Sequence, residues 1–288
     1  MTETIGWIGI GSMGHRMTRH LVAAGHDLVV ADAVSTERAP QQARVAKSNT
    51  EVAALADIVI LSLPDGTVSE AVAREIAAAS PRKVKTVIDT STIGIKAAET
   101  AAQILGKVGI TFVDAPVSGG TAGAEKATLA VMLACPADIY ERVKPLMALI
   151  GKPFHVGPKP GQAQAVKLLN NFLSATALAA TSEAIAFGVR QGIPMQTILD
   201  IVNVSTGRNT ATDDKFPRRI INEKYDAGFT AKLQLKDIKL YLENARAMGI
   251  PDEIATTVVG VWTGLEAAIP GADITLMYPY TRDGRKKG

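Results

Sequence analysis

The feature that most limits what this chain can fold into lies in residues 4–32. An apolar run at 4–9 (TIGWIG) leads into Gly9-Ile10-Gly11-Ser12-Met13-Gly14. A helix-patterned run at 15–24 follows, closed by Gly25, and then a second apolar run at 27–32 (DLVVAD). The order is strand, glycine turn, helix, strand, with Asp32 as the acid ending the second strand. Each part has a physical task. Gly9 allows the tight turn, Gly11 lets a pyrophosphate approach the backbone, and Gly14 lets helix and strand pack closely. The helix N-terminus supplies free N–H groups and a partial positive charge for phosphates. The context predicts a dinucleotide-binding βαβ unit rather than a ligand-free turn, with the 9–14 turn, Ile10, Ser12 and Met13 included, against the cofactor.

Asp32 bears on which cofactor. A carboxylate there accepts hydrogen bonds from the adenosine ribose and repels a 2′-phosphate. Small or neutral residues follow it, and Arg38 lies further on. The expectation is NAD over NADP.

Strands and helices keep alternating. Strands are expected at 58–63 (IVILSL), 84–90 (VKTVIDT) and 110–114, with helices at 68–79 and 95–106; shorter strands follow at 129–134 and 154–156. Continuous apolar strands separated by helices mean a parallel, doubly wound sheet of Rossmann type. Loops at the carboxyl ends of such strands line the ligand crevice, which places Leu63, Pro64 and Thr92 near the cofactor. Thr92 also suits an N-cap for the next helix. Ser118-Gly119-Gly120 offers a hydroxyl and open backbone N–H groups that suit a carboxylate, although an ordinary turn has the same composition.

After Gly157-Pro158 and Pro160-Gly161 the strand-like runs stop. Residues 162–191 form one long helical pattern, apolar or small almost all round. Further helices are expected at 195–204, 229–248 and 252–268, with a polar loop at 205–212. The fold class is therefore α/β. It has a dinucleotide-binding domain at 1–160 and an all-helical domain at 161–288, joined by the long helix. An alanine-rich helix of that kind needs cover, so a homodimer or homotetramer through the helical domain is expected.

Composition excludes other classes. The 288 residues carry a net charge of +3, too mild for nucleic acid. The basic cluster at 282–287 (RDGRKK) reads as a solvated end. The single cysteine, Cys135, lies in an apolar run, so a buried core thiol and a reducing compartment are expected. No secretory leader pattern and no membrane-spanning stretch are evident, so a cytoplasmic location is expected. The four histidines show no ligand spacing, and no metal is expected.

The long helix carries Lys167 and Asn171 on one face, one turn apart. A buried ammonium needs a partner or a chemical task. The alternative is a lysine at the helix edge with its head in water. Residues alone leave this open.

Four stretches in order, GWIGIGSMG, DAPVSGG, GQAQAVKLLNN and LKDIKL, resemble the β-hydroxyacid dehydrogenase family across nearly the whole chain. The resemblance implies that residues 6–20 hold the dinucleotide. It further implies that Ser118, Gly119 and Gly120 hold a substrate carboxylate, that Lys167 is the catalytic acid/base and that Asn171 orients substrate and lysine. Lys236, next to Asp237, would close over nicotinamide and substrate; a solvated helix face is the other reading of that pair. The implied reaction is NAD-dependent interconversion of a small 3-hydroxy acid and its semialdehyde. The substrates considered are 3-hydroxyisobutyrate and tartronate semialdehyde with glycerate. Arg208 and Asn209 are available to read the far end of such a substrate. Imine reductases share the architecture but typically lack the lysine. Phosphogluconate dehydrogenases have a far longer helical domain. A non-catalytic dinucleotide sensor is the alternative from another class.

Overall fold

The computed structural model describes residues 3–285, so Lys286 and Lys287 of the basic cluster lie outside the described residues. The chain divides into two compact units, and their boundary in sequence falls between Lys167 and Leu168.

The first unit is built on one nine-stranded sheet. Its strands are β1 (Ile5–Ile8), β2 (Leu28–Ala31), β3 (Arg44–Val45), β4 (Ile58–Leu61), β5 (Thr86–Asp89), β6 (Thr111–Asp114), β7 (Val117–Ser118), β8 (Leu129–Ala134) and β9 (Gly151–Gly157). The order is β3-β2-β1-β4-β5-β6-β8-β7, with β9 paired to β8. Strands β1 to β6 pair in parallel, whereas β8 runs antiparallel to β6 and β7. Helices α1 (Gly14–Ala23), α2 (Asn49–Leu55), α3 (Gly66–Ala78), α4 (Ile95–Gly106), α5 (Gly120–Glu125) and α6 (Ala137–Met147) connect them.

Alternation along each strand builds two cores, one on each face of the sheet. Ile5, Trp7, Ile58 and Ile60 join Met17 and Leu21 on one face. Ile8, Val59 and Leu61 join Val72, Ile76 and Ala98 on the other. This is why β1 and β4 read as unbroken apolar runs: both faces are covered. The α/β doubly wound expectation holds. The sequence reading missed β3 and β7, which are two residues long, and helices α2, α5 and α6. Polar and charged residues interrupt those segments and dilute their periodicity.

The second unit is helical. Helix α7 (Gln162–Arg190) begins in the first unit and continues into the second. It is followed by α8 (Met195–Val202), a π-helical segment (Ala211–Ile220), α9 (Ala231–Ala247), α10 (Glu253–Ala268), a short 3-10 turn (Ile274–Leu276) and α11 (Met277–Arg282). The expected polar loop at 205–212 thus ends inside the π-helical segment. Fully buried Trp262 and Phe216 centre the core with Leu178 and Ile238. The Trp262 indole donates to the Ala175 carbonyl at 3.3 Å. Helix α7 is long and apolar enough to cross a membrane by length and composition alone, with mean hydropathy 1.4 in its most apolar window. It also carries buried Lys167 and Asn171, the pattern of a core helix.

Candidate active site

The sheet order reverses direction between β1 and β4, and ligands of open α/β sheets bind outside the carboxyl ends of the strands at that point. The 9–14 turn leaves β1 there, and Ser62 leaves β4 beside it. Gly9 adopts φ +94°, and a Cβ on it would lie 2.2 Å from the Ser62 carbonyl oxygen. Around Gly11 the space is open, so that face of the turn is free for a ligand. Helix α1 has neither a side-chain cap nor an acid in its first turn. Its first N–H groups are suited to an anion. A dinucleotide therefore fits this turn.

One brace of the turn escaped the sequence reading. Trp7 is fully buried and its indole N–H donates to the Gly9 carbonyl at 2.9 Å. The only sequence signal is an aromatic donor two residues before the turn.

Asp32 follows β2. Its Oδ2 accepts from Ile10 N at 2.8 Å, and its Oδ1 accepts from Val34 N at 2.8 Å and Ser35 N at 3.1 Å. The carboxylate therefore fixes the glycine turn as well as standing where a ribose is expected. Leu63 N donates to Ser91 Oγ at 2.7 Å, tying the loop after β4 to the loop after β5. Thr92 lies in that second loop, and the N-cap position of α4 is Gly94, which has no side chain.

The backbone just ahead of α4 is held by α7. Gln164 Oε1 accepts from Ile93 N at 2.9 Å and Gly94 N at 3.1 Å. Its Nε2 donates to the Ser91 carbonyl at 3.1 Å and to Asp114 Oδ1 at 2.7 Å. Asp114 ends β6, and its Oδ2 accepts from Gly161 N at 2.9 Å and Gln164 N at 3.2 Å. Burial pushes the Asp114 carboxyl up to about 6, opposed by these donors. Asp89, its register neighbour on β5, is also raised by burial. Lys167 sits three residues after Gln164 and is 8% exposed. A solvated lysine at the helix edge is excluded. Cys135 is buried and its thiol is pushed up to about 11 by burial, as suits an inert core thiol.

Ser118 ends β7, opposite Ala130 of β8. Gly119 and Gly120 have φ +134° and +63° and are exposed, so the backbone after Ser118 turns outward before α5.

In the second unit, Asn171 is buried and its Nδ2 donates to Asp237 Oδ2 at 2.6 Å. Gln234 Nε2 donates to the Asn171 carbonyl at 3.1 Å. Lys236 Nζ lies 3.0 Å from Asp237 Oδ1. Asp237 is 3% exposed, so the Lys236-Asp237 pair is not a solvated face; Lys239 is exposed. Asn209 has structural partners: its Oδ1 accepts from Ala211 N and Thr212 N, and its Nδ2 donates to the Gly207 carbonyl and to Thr181 Oγ1 on α7. It caps the π-helical segment. Exposed Arg208 pairs with Asp213 at 3.2 Å.

Comparison with known proteins gives a consistent result. Residues 4–158 match the NAD binding domain of 6-phosphogluconate dehydrogenase. Residues 161–280 match the domain family described as NAD-binding of NADP-dependent 3-hydroxyisobutyrate dehydrogenase. The chain is 34% identical to 2-(hydroxymethyl)glutarate dehydrogenase of Eubacterium barkeri, over 90% of this chain and 94% of that protein. It is 33% identical to the mitochondrial 3-hydroxyisobutyrate dehydrogenase of Drosophila melanogaster, over 96% and 88%. Among solved structures, Mycobacterium tuberculosis 3-hydroxyisobutyrate dehydrogenase with L-serine superposes with a TM-score of 0.91 at 29% identity, covering 98% of this chain and all of that one.

Proposed function

The chain belongs to the β-hydroxyacid dehydrogenase family, and from that membership we propose that it interconverts a 2-substituted 3-hydroxypropanoate and the matching semialdehyde, with NAD preferred over NADP. The observation that carries this reading is Lys167. It is a buried lysine on the first turns of a helix whose start is hydrogen-bonded to the end of β6 and to the loop after β5 that bears Thr92. The substrate class follows from chemistry. Two relatives act, by name, on 3-hydroxyisobutyrate and on 2-(hydroxymethyl)glutarate. Both compounds are 3-hydroxypropanoates, HOCH2–CHR–COO−, and they differ only in the substituent R on carbon 2. Glycerate and serine have the same frame.

NAD, when bound, accepts the hydride from the alcohol carbon or returns it. The rest is the work of side chains and backbone. The 9–14 turn and the start of α1 hold the pyrophosphate, and Asp32 accepts from the ribose and repels a 2′-phosphate. Leu63, Pro64 and Thr92 complete the cofactor wall. Ser118, Gly119 and Gly120 donate to the substrate carboxylate. The Lys167 ammonium stabilises the developing alkoxide and gives it a proton; in oxidation the neutral amine takes that proton. Asn171 orients substrate and lysine, and Lys236 closes over them. We also propose a cytoplasmic location; a single, buried cysteine is compatible with a reducing compartment.

We further propose a homo-oligomer formed through α7 and α10. On α7, Leu173 is 60% and Phe187 70% exposed, and on α10 Ile254 is 66% exposed. A groove of about 340 Å³ lies between the two helices, lined by Thr176, Ala179, Ala180, Thr257 and Val261 among others. Such an apolar face suits a second copy of itself.

The test is a panel: 3-hydroxyisobutyrate, 2-(hydroxymethyl)glutarate, glycerate and L-serine with NAD, and cyclic imines with NADH, each followed by NADH absorbance. Turnover of at least one hydroxy acid and none of the imines supports the reading. NADH binding without any turnover makes the protein a sensor. Turnover of imines alone makes it an imine reductase.

A further inference from the structure

Gln164 stands out among the buried polar side chains of the first unit. It is 0% exposed, and each of its amide's hydrogen-bonding positions is used. The oxygen takes two backbone N–H groups, Ile93 and Gly94, at the start of α4. The nitrogen gives both its protons, one to the Ser91 carbonyl and one to Asp114 Oδ1. An amide has one acceptor end and one donor end, so this network fixes which way Gln164 faces. Asp114 in turn holds the backbone of α7 at Gly161 and at Gln164 itself. The first turn of α7 is thus tied twice, through its backbone and through its side chain, to β6 and to the loop after β5.

Lys167 follows three residues later on the same rigid helix, about 4.5 Å along its axis. The loop after β5 is the one that bears Thr92. Any shift of the first turn of α7 relative to that loop carries the lysine with it. From this geometry we infer that Gln164 is a positioning residue for the reaction. It sets where the Lys167 amine stands relative to the cofactor loop, and Asp114 holds Gln164 in place. The inference rests on the proposed role of Lys167 as acid/base.

A structural filler and a positioning residue differ in how their loss combines with loss of the lysine. The most active hydroxy acid of the panel serves as probe, with NAD, in wild type, Gln164→Leu, Lys167→Ala and the double variant. Thermal unfolding and NADH titration accompany each. Leucine keeps the bulk but leaves four partners without a mate. Gln164→Leu is expected to lower kcat on the order of 100-fold, the scale of a misplacement of about 1 Å. NADH affinity should stay within about threefold of wild type, a margin small against that loss. The double variant should be no slower than Lys167→Ala, because a positioning residue has nothing left to position. Losses that multiply in the double variant overturn the inference and leave the role of Lys167 intact. Wild-type turnover in Lys167→Ala overturns the acid/base reading itself.

Gln164→Glu keeps the question decidable if leucine impairs folding. A glutamate carboxylate still accepts from Ile93 and Gly94, but its second oxygen then faces the Ser91 carbonyl and Asp114, which are also acceptors. A hydrogen reaches that contact only when the introduced carboxyl or Asp114 is protonated, and Asp89 beside Asp114 on β5 adds negative charge that favours the proton. The variant's kcat relative to wild type should therefore rise about tenfold or more as pH falls from about 8 to about 6. A ratio that stays flat across that range overturns the inference.

Discussion

Asp32 has two tasks at once, and its substitution separates them. Its carboxylate ties Ile10 to Val34 and Ser35, and it stands where the ribose is expected. Asp32→Ser removes the charge that repels a 2′-phosphate. The ratio of kcat/KM for NAD to that for NADP should fall about tenfold, the low end of what one hydrogen bond to a charged group is worth. An unmoved ratio would take Asp32 out of cofactor choice and leave it a brace of the turn. Asp114 carries a pH signature. Burial raises its carboxyl from 3.8 to about 6 in the folded protein. The folded state therefore keeps the proton over a window in which the unfolded chain has lost it. Its contribution to stability is fully present below about pH 4 and is lost as pH rises to about 6, by about 3 kcal/mol at most. Thermal melts of wild type and Asp114→Asn across that window should show wild type losing ground to the variant as pH rises; a constant gap would contradict the assignment.

Among the elements, those buried on both faces were legible in the sequence. β1, β2 and β4 were expected because their residues are apolar or glycine throughout, and β5 and β6 because an apolar centre (Val87-Ile88, Phe112-Val113) sits in a short run bounded by turns. Helix α7 was expected over its whole length because its residues are apolar or small almost all round. β3 was not legible, because two exposed residues give no alternation. The π-helical segment after Asn209 was not legible either, since its hydrogen-bond pattern leaves no distinct periodicity. The candidate site divides the same way. The glycine turn and Asp32 could be derived from physics, and Lys167 gained its role from family resemblance. Trp7 and Gln164 were missed, because their importance lies in hydrogen bonds to backbone far from helix and strand patterns. The start of α7 offers its own test. Gly161 has φ +89°, and a Cβ there would lie 2.8 Å from Ile95 Cγ2. Gly161→Ala should destabilise the protein by about 2 kcal/mol through left-handed strain and this contact. Denaturant unfolding would measure it, and an unchanged midpoint would mean that the turn relaxes freely.

For the molecule as a whole, the exposed apolar face of α7 and α10 predicts self-association. Leu173→Glu together with Phe187→Glu should lower the mass measured by light scattering to that of one chain. Unchanged mass would place the interface elsewhere. The chain joins an NAD-binding sheet to a lysine carried on the helix that leaves it. In the proposed reaction the Lys167 amine moves the proton. Measuring kcat and NADH affinity side by side for Lys167→Ala tests this most directly. The account predicts a loss in kcat on the order of 1,000-fold with NADH binding nearly intact. Turnover within tenfold of wild type, or cofactor binding lost in equal measure, would contradict it.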